Sequence, residues 1–255
     1  MKKSKLKYSV KVELLLEAIA DTENAERSAV VLLSGGQDST TLLHVAMAHH
    51  GPKNVFALGF NYGQRHVTEL DCAATLAGKY DIPYHVIGLK DVLASVGHSA
   101  LTNTGAEQDT SKPHTAMPDV PASFVPARNA LFLTLAYSYA QLVGAEVVYG
   151  GMCQTDYSGY PDCREDFVNG LENALHKGYP SDPIVTFRTP LMRIDKRETF
   201  QLAHALGGLP DVLELSHTCY NGDHTTRNAW GYGCGQCPSC KLRAKGFAEF
   251  EESMV

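Results

Sequence analysis

The sequence of 255 residues predicts an α/β fold built on a doubly wound parallel sheet. Two observations carry this expectation. Short apolar runs alternate with helix-period segments, and the first apolar run ends in a glycine turn that opens a helix. A chain of this length buries one substantial core and leaves room for a small appendage.

Residues 1–27 read as an N-terminal extension. Val12, Leu15, Leu16 and Ile19 share one face of a short helix, and Asp21 to Arg27 forms a polar connection. Such a stripe covers either core surface or a subunit boundary. With no catalytic constellation beside it, it is assigned to assembly. Apolar runs at 29–33, 54–60, 83–87 and 145–150 read as buried parallel strands, and 38–50, 65–79 and 129–143 as helices between them. Ser34, Asn61-Tyr62-Gly63 and Gly150-Gly151 then emerge at carboxyl ends of strands, where ligands of such sheets sit. Residues 97–127 carry Gly97, Gly105, Pro113, Pro118, Pro121 and Pro126 with little periodicity and are expected to be a long loop.

The segment Ser34-Gly35-Gly36-Gln37-Asp38-Ser39 lies between the run Ala29-Val30-Val31-Leu32-Leu33 and the helical stretch Thr40-Thr41-Leu42-Leu43. A buried strand entering two glycines and a helix start presents free backbone N–H groups, aimed by the helix dipole at an anion. Gly35 and Gly36 allow close approach to phosphate oxygens, and Ser34 and Ser39 donate hydroxyl hydrogen bonds. Asp38 stands where Mg²⁺ on the phosphates needs a carboxylate. The loop is neither a Walker A motif nor a dinucleotide fingerprint.

Cysteine is the second strong signal. Cys219 precedes Cys234-Gly235-Gln236-Cys237-Pro238-Ser239-Cys240, and four thiols with this spacing suit a tetrahedral ion. Zinc is favoured, an iron–sulfur cluster is the alternative, and a disulfide framework is disfavoured. Four protein thiolates leave no open position for water, so the metal is expected to be structural, pinning a C-terminal segment that carries Lys241 and Arg243. Cys72, Cys153 and Cys163 read as small apolar residues, with Cys163 beside Arg164 the one worth testing as a reactive thiol.

The net charge of −6 offers no broad basic surface, and no direct nucleic-acid partner is expected. No run suffices to span a bilayer, and Glu13 and Glu17 interrupt the only apolar stretch near the start, so a cytoplasmic protein is expected.

The SGGxDS loop resembles that of the N-type ATP pyrophosphatases, which adenylate an oxygen of their substrate. Over about residues 29–247 the chain is similar to the 7-cyano-7-deazaguanine synthases. The resemblance is carried by Ser34–Thr41, Asn61–His66, Phe124–Asn129, Thr155–Arg164, Thr189–Leu191, Ile194–Lys196, Thr218–Gly222 and the cysteine cluster. It implies a PP-loop, adenine nucleotide α-hydrolase-like domain over 28–212 and a zinc-binding region over 213–255. The implied reaction is ATP-dependent conversion of 7-carboxy-7-deazaguanine and ammonia to the nitrile, and family members are often homodimers. ATP is expected on Leu33, Ser34, Gly35, Gly36, Gln37, Asp38 and Ser39, continuing through Thr40, Thr41, Leu42 and Leu43. Asp38 is assigned to Mg²⁺, Arg128 and Lys196 to charge on the α-phosphorus and pyrophosphate, and Cys219, Cys234, Cys237 and Cys240 to zinc. For the deazapurine, Tyr62, Arg65, Asp156, Tyr157, Tyr160 and Asp162 are the candidates. Gln64, Arg65 and His66 begin the second helix, where an anion-facing and an ordinary first-turn role both stay open.

Two departures stand out: the N-terminal extension, and a Cys219-to-Cys234 gap longer than is usual in the family. Three rival readings share parts of the pattern. A tRNA-thiolating enzyme needs a thiol or cluster beside the ATP loop and a basic surface. A paralogue would hand the activated deazaguanine to another acceptor. A zinc module binding nucleic acid would not keep Ser34–Ser39 intact.

Overall fold

A computed structural model describes residues 8–21, 27–63, 68–92, 113–114, 117–121, 124–154, 160–179 and 182–255. The expected Arg65, Asp156 and Tyr157 sites, with Gln64 and His66, lie outside these residues. In chain order the strands of the main sheet are β1 (Ala29–Leu32), β2 (Val55–Asn61) and β3 (Tyr84–Gly88), and, after a separate hairpin of β4 (Pro113–His114) and β5 (Met117–Pro121), β6 (Val147–Tyr149) and β7 (Thr186–Arg188). Their spatial order is β3-β2-β1-β6-β7, every pairing parallel.

The central strands β1, β2 and β6 are buried on both faces, which is why they read as unbroken apolar runs, whereas the edge strands β3 and β7 are only partly covered. Ala29, Val31 and Leu33 meet Leu42, Leu43 and Ala46 of α2 (Gln37–His50) and Ala73 and Leu76 of α3 (Thr68–Lys79) on one face. Val30 and Leu58 meet Ala136, Tyr137 and Ala140 of α4 (Arg128–Val143) on the other. From β1 the chain runs outward through α2 to β2 and later returns to β1's opposite side at β6. The carboxyl end of β1 is therefore a topological switch point, and Ser34 emerges there.

Two expectations need correction here. The predicted long loop at 97–127 contains the β4–β5 hairpin among its described residues; its prolines suit a two-stranded ribbon, where missing N–H donors cost no central ladder. The apolar stripe of the extension faces the protein's own core. On α1 (Val10–Ala20), Val12 is fully buried, and Leu15, Leu16 and Ile19 pack on the same cluster as α2. The Tyr8 hydroxyl bonds His204 Nδ1 at 3.0 Å, and Lys11 Nζ donates to the Arg193 carbonyl at 2.8 Å. A subunit boundary would have to use other surface. Val12→Ala is accordingly expected to cost about 2 kcal/mol and lower Tm by roughly 4–8 °C in calorimetry. An unchanged Tm would show that α1 is not part of the core.

The C-terminal part follows α5 (Glu165–Gly178), α6 (Lys196–Ala205) and α7 (Leu209–Leu215) and consists of the ribbon β8 (Arg227–Asn228) and β9 (Gly231–Tyr232) and helix α8 (Pro238–Ser253). Phe200, Ala203 and Val212 share one apolar cluster with Trp230, Phe247 and Phe250, so this segment is packed into the body of the protein. Among the described residues no helix is long and apolar enough to cross a membrane.

Candidate active site and metal centre

The loop after β1 is shaped by one enforced glycine. Gly35 has φ +88°, and a Cβ there would stand 2.0 Å from the Glu69 carbonyl oxygen, inside the start of α3. Gly36 caps α2 without a side-chain acceptor, so the first-turn N–H groups of the helix have no N-cap partner. The Gly35 N–H donates to Ser39 Oγ at 3.1 Å, and Ser34 Oγ lies 3.1 Å from the same oxygen. The hydroxyls are thus held at the turn.

The loop opens into a cavity of about 630 Å³. Leu33, Ser34, Gly36, Gln37, Asp38 and Ser39 line it, as does Lys196 from the first turn of α6. Lys196 Nζ donates to Asp38 Oδ2 at 2.6 Å, while Asp38 Oδ1 and both polar atoms of the Gln37 amide are buried without a partner among the described residues. An orphaned carboxylate oxygen beside open N–H groups fits a cation on a polyphosphate. Of the stretch expected to carry nucleotide, Thr40, Thr41, Leu42 and Leu43 do not line this cavity. Thr40 and Thr41 turn their hydroxyls back to the carbonyls of Gly36 and Gln37, at 2.8 and 3.0 Å, and Leu42 and Leu43 belong to the core.

Opposite the loop, Arg128 is presented by a strained entry to α4. Ala127 adopts a left-handed conformation, φ 59°, uncommon for a residue with a Cβ and costing about 1–2 kcal/mol. The guanidinium stands 5.8 Å from the ring centres of both Tyr62 and Tyr160, and its Nε is buried without a partner among the described residues. Burial lowers the pKa of this guanidinium, but the surrounding Tyr62, Tyr160 and Asp162 outweigh it and raise the net value.

Asp162 corrects another expectation. It does not line the cavity; its carboxylate accepts the Asn129 N–H at 3.1 Å and the Asn129 Nδ2 at 3.2 Å, which fixes the start of α4 and hence Arg128. Burial raises its pKa against those bonds and Arg128. Cys163 does line the cavity, but burial pushes its thiol up to about 11, unlike a reactive thiolate.

Several lining residues were not among the site residues expected from the sequence. Thr218, Tyr220, Ser239, Leu242 and Arg243 bring the C-terminal segment in as one wall, and Glu69 enters from the first turn of α3. Arg243 is almost wholly buried. Its Nε donates to the Trp230 carbonyl at 2.9 Å, and its two terminal nitrogens to Thr218 Oγ1 and the Val212 carbonyl, both at 2.5 Å. Burial pulls it down to about 10, with Asp38 and Cys240 opposing, so it stays a cation at neutral pH.

The thiols of Cys219, Cys234, Cys237 and Cys240 converge, all within 4.8 Å of one another. A tetrahedral zinc with ~2.3 Å bonds needs sulfurs about 3.8 Å apart, so the donor set fits. The N–H groups of Gln236 and Cys237 both point at Cys234 Sγ from 3.4 Å. Burial raises that thiol, yet these bonds win and hold it down to about 6. The long gap before Cys234 loops out as the β8–β9 ribbon and does not keep Cys219 away.

The family model described as queuosine biosynthesis protein QueC matches residues 28–251. The 7-cyano-7-deazaguanine synthase of Wolinella succinogenes is 48% identical over 226 residues, covering 89% of this chain and 94% of the relative. The synthase of Nitrobacter winogradskyi is 45% identical, covering 89% and 97%. Among solved structures, an NH3-dependent NAD synthetase from Campylobacter jejuni is 20% identical with a TM-score of 0.46, covering 79% of this chain and 74% of that one.

Proposed function

The chain belongs to the QueC family of queuosine biosynthesis proteins, and we propose that its cavity carries the ATP-dependent conversion of 7-carboxy-7-deazaguanine and ammonia to 7-cyano-7-deazaguanine. The observation that supports it most is the open phosphate loop with the Asp38–Lys196 pair, facing Arg128 across an aromatic-walled cavity. A carboxylate is a poor electrophile, because its charge repels nucleophiles and oxide does not leave. Attack of a carboxylate oxygen on the α-phosphorus of ATP expels pyrophosphate and gives an acyl adenylate. Ammonia displaces AMP, leaving the amide. The amide oxygen attacks a second ATP in the same way, and loss of AMP with the remaining N–H protons leaves the nitrile.

Placement supports each role. The N–H groups of the loop and the Ser34 and Ser39 hydroxyls bind phosphate oxygens, and Lys196 takes charge departing with pyrophosphate. Asp38 Oδ1 would hold Mg²⁺, which neutralises phosphate charge when bound. Arg128, gripped between Tyr62 and Tyr160, faces charge developing on the acceptor side, and those rings flank the base. The cysteine centre is read as structural zinc.

The two carboxylate oxygens of the acid should leave in two separate AMP molecules. With the acid labelled with ¹⁸O in both positions, mass spectrometry is expected to find one heavy oxygen in each AMP and two AMP per nitrile. Release of ADP and phosphate, or label in water, would overturn the reading. A product that stops at the amide or appears on another acceptor would favour the paralogue.

A further inference from the structure

We propose that Glu69 is the specificity residue of this cavity, its carboxylate accepting the adjacent N1–H and 2-amino donors of the deazaguanine ring. The identity of the ring rests on the functional reading above; the choice of residue rests on the cavity. Among the described residues its charged lining consists of Asp38, Glu69, Arg128, Lys196 and Arg243. Asp38 and Lys196 are paired at the phosphate loop, and Arg243 is tied to Trp230, Thr218 and Val212. Glu69 and Arg128 remain, grouped with Tyr62 and Tyr220.

Among the described residues no hydrogen bond or ion pair engages the Glu69 carboxylate. Burial pushes its pKa up to about 7, against the pull of Arg128. The phenols of Tyr62 and Tyr220 face it from other elements, and Cys72 neighbours it on its own helix. A half-buried carboxylate on the cavity wall with no protein donor among the described residues gains from a ligand that brings two N–H groups side by side, and the guanine-type edge has that arrangement. Its distance from the nucleotide is also fixed. The Glu69 carbonyl abuts Gly35 where no Cβ fits, so the start of α3 and the phosphate loop are held as one unit.

The test compares kcat/KM, read as AMP release, for 7-carboxy-7-deazaguanine and for its analogue lacking the 2-amino group. Wild-type protein is expected to prefer the amino compound about ten- to hundredfold, as the loss of one charge-assisted hydrogen bond implies. Glu69→Gln and Glu69→Ala should bring that ratio within about threefold, mainly through KM, with ATP affinity unchanged. Wild-type protein that accepts both rings equally overturns the inference without recourse to any variant. So does a uniform fall in rate that keeps the ratio, which would make Glu69 a proton carrier or a structural group. If wild-type protein releases no AMP with either ring, it is the functional reading that fails, and this inference with it.

Discussion

Asp38→Asn is expected to lower kcat/KM by about a thousandfold or more while leaving the protein folded. The substitution keeps the shape of the side chain and an oxygen that accepts from Lys196, but it removes the only carboxylate among the described residues that faces the phosphate loop with an unpartnered buried oxygen. Positioning and charge stabilisation dominate phosphoryl-type transfer, so a lost charge at the polyphosphate falls on the transition state. Stability should change little, since the Asp38 and Lys196 side chains retain 28% and 13% of their exposure and neither belongs to an apolar cluster. Pyrophosphate exchange into ATP reports the adenylation step alone, and Tm reports the fold. Near-normal exchange would remove Asp38 from the mechanism. Exchange lost together with a large fall in Tm would make the pair structural.

Sequence reading located the chemistry better than the walls around it. The phosphate loop was legible because a parallel strand buried on both faces is an unbroken apolar run, and a glycine turn at its carboxyl end has few other uses. The cysteine cluster was legible because its spacing is local. β7 escaped notice because Thr186–Arg188 is short and half-buried at a sheet edge, without a clean apolar run. Glu69 looks like any acid in a first helical turn until α3 is seen packed on Gly35. Arg243 resembles a solvated charge in a polar helix, and only the fold shows three of its nitrogens engaged by groups from residues 212, 218 and 230. Asp162 is the converse case: a carboxylate in a candidate substrate block is engaged by the neighbouring helix, through Asn129, 33 residues earlier in the chain.

Cys240→Ser is expected to abolish stoichiometric metal binding and, with it, the ATP site. Purified wild-type protein should hold about one zinc per chain by elemental analysis. Binding at such a site contributes roughly 10–16 kcal/mol to the folding of small zinc modules, comparable to the whole stability of a typical domain. The C-terminal segment is ordered by this site together with the apolar cluster that Trp230, Phe247 and Phe250 share with Phe200 and Val212. Its order also reaches the phosphate loop. The His217 N–H donates to the Gly35 carbonyl at 2.8 Å, Ser239 Oγ donates to the Thr218 carbonyl at 2.6 Å, and Thr218 in turn receives Arg243. Cys240 is fully buried, and its neighbour Trp230 stands over the Arg243 guanidinium, so unpicking the centre frees the wall of the cavity. The variant should show no zinc, a Tm lowered by more than about 10 °C or loss of the folded protein, and at least a tenfold weaker nucleotide affinity where it can be measured. Chelation of metal from wild-type protein should give the same loss of nucleotide binding without any substitution. Iron with matching sulfide would replace zinc by a cluster, and undiminished nucleotide binding by metal-free protein would show that the centre does not support the loop.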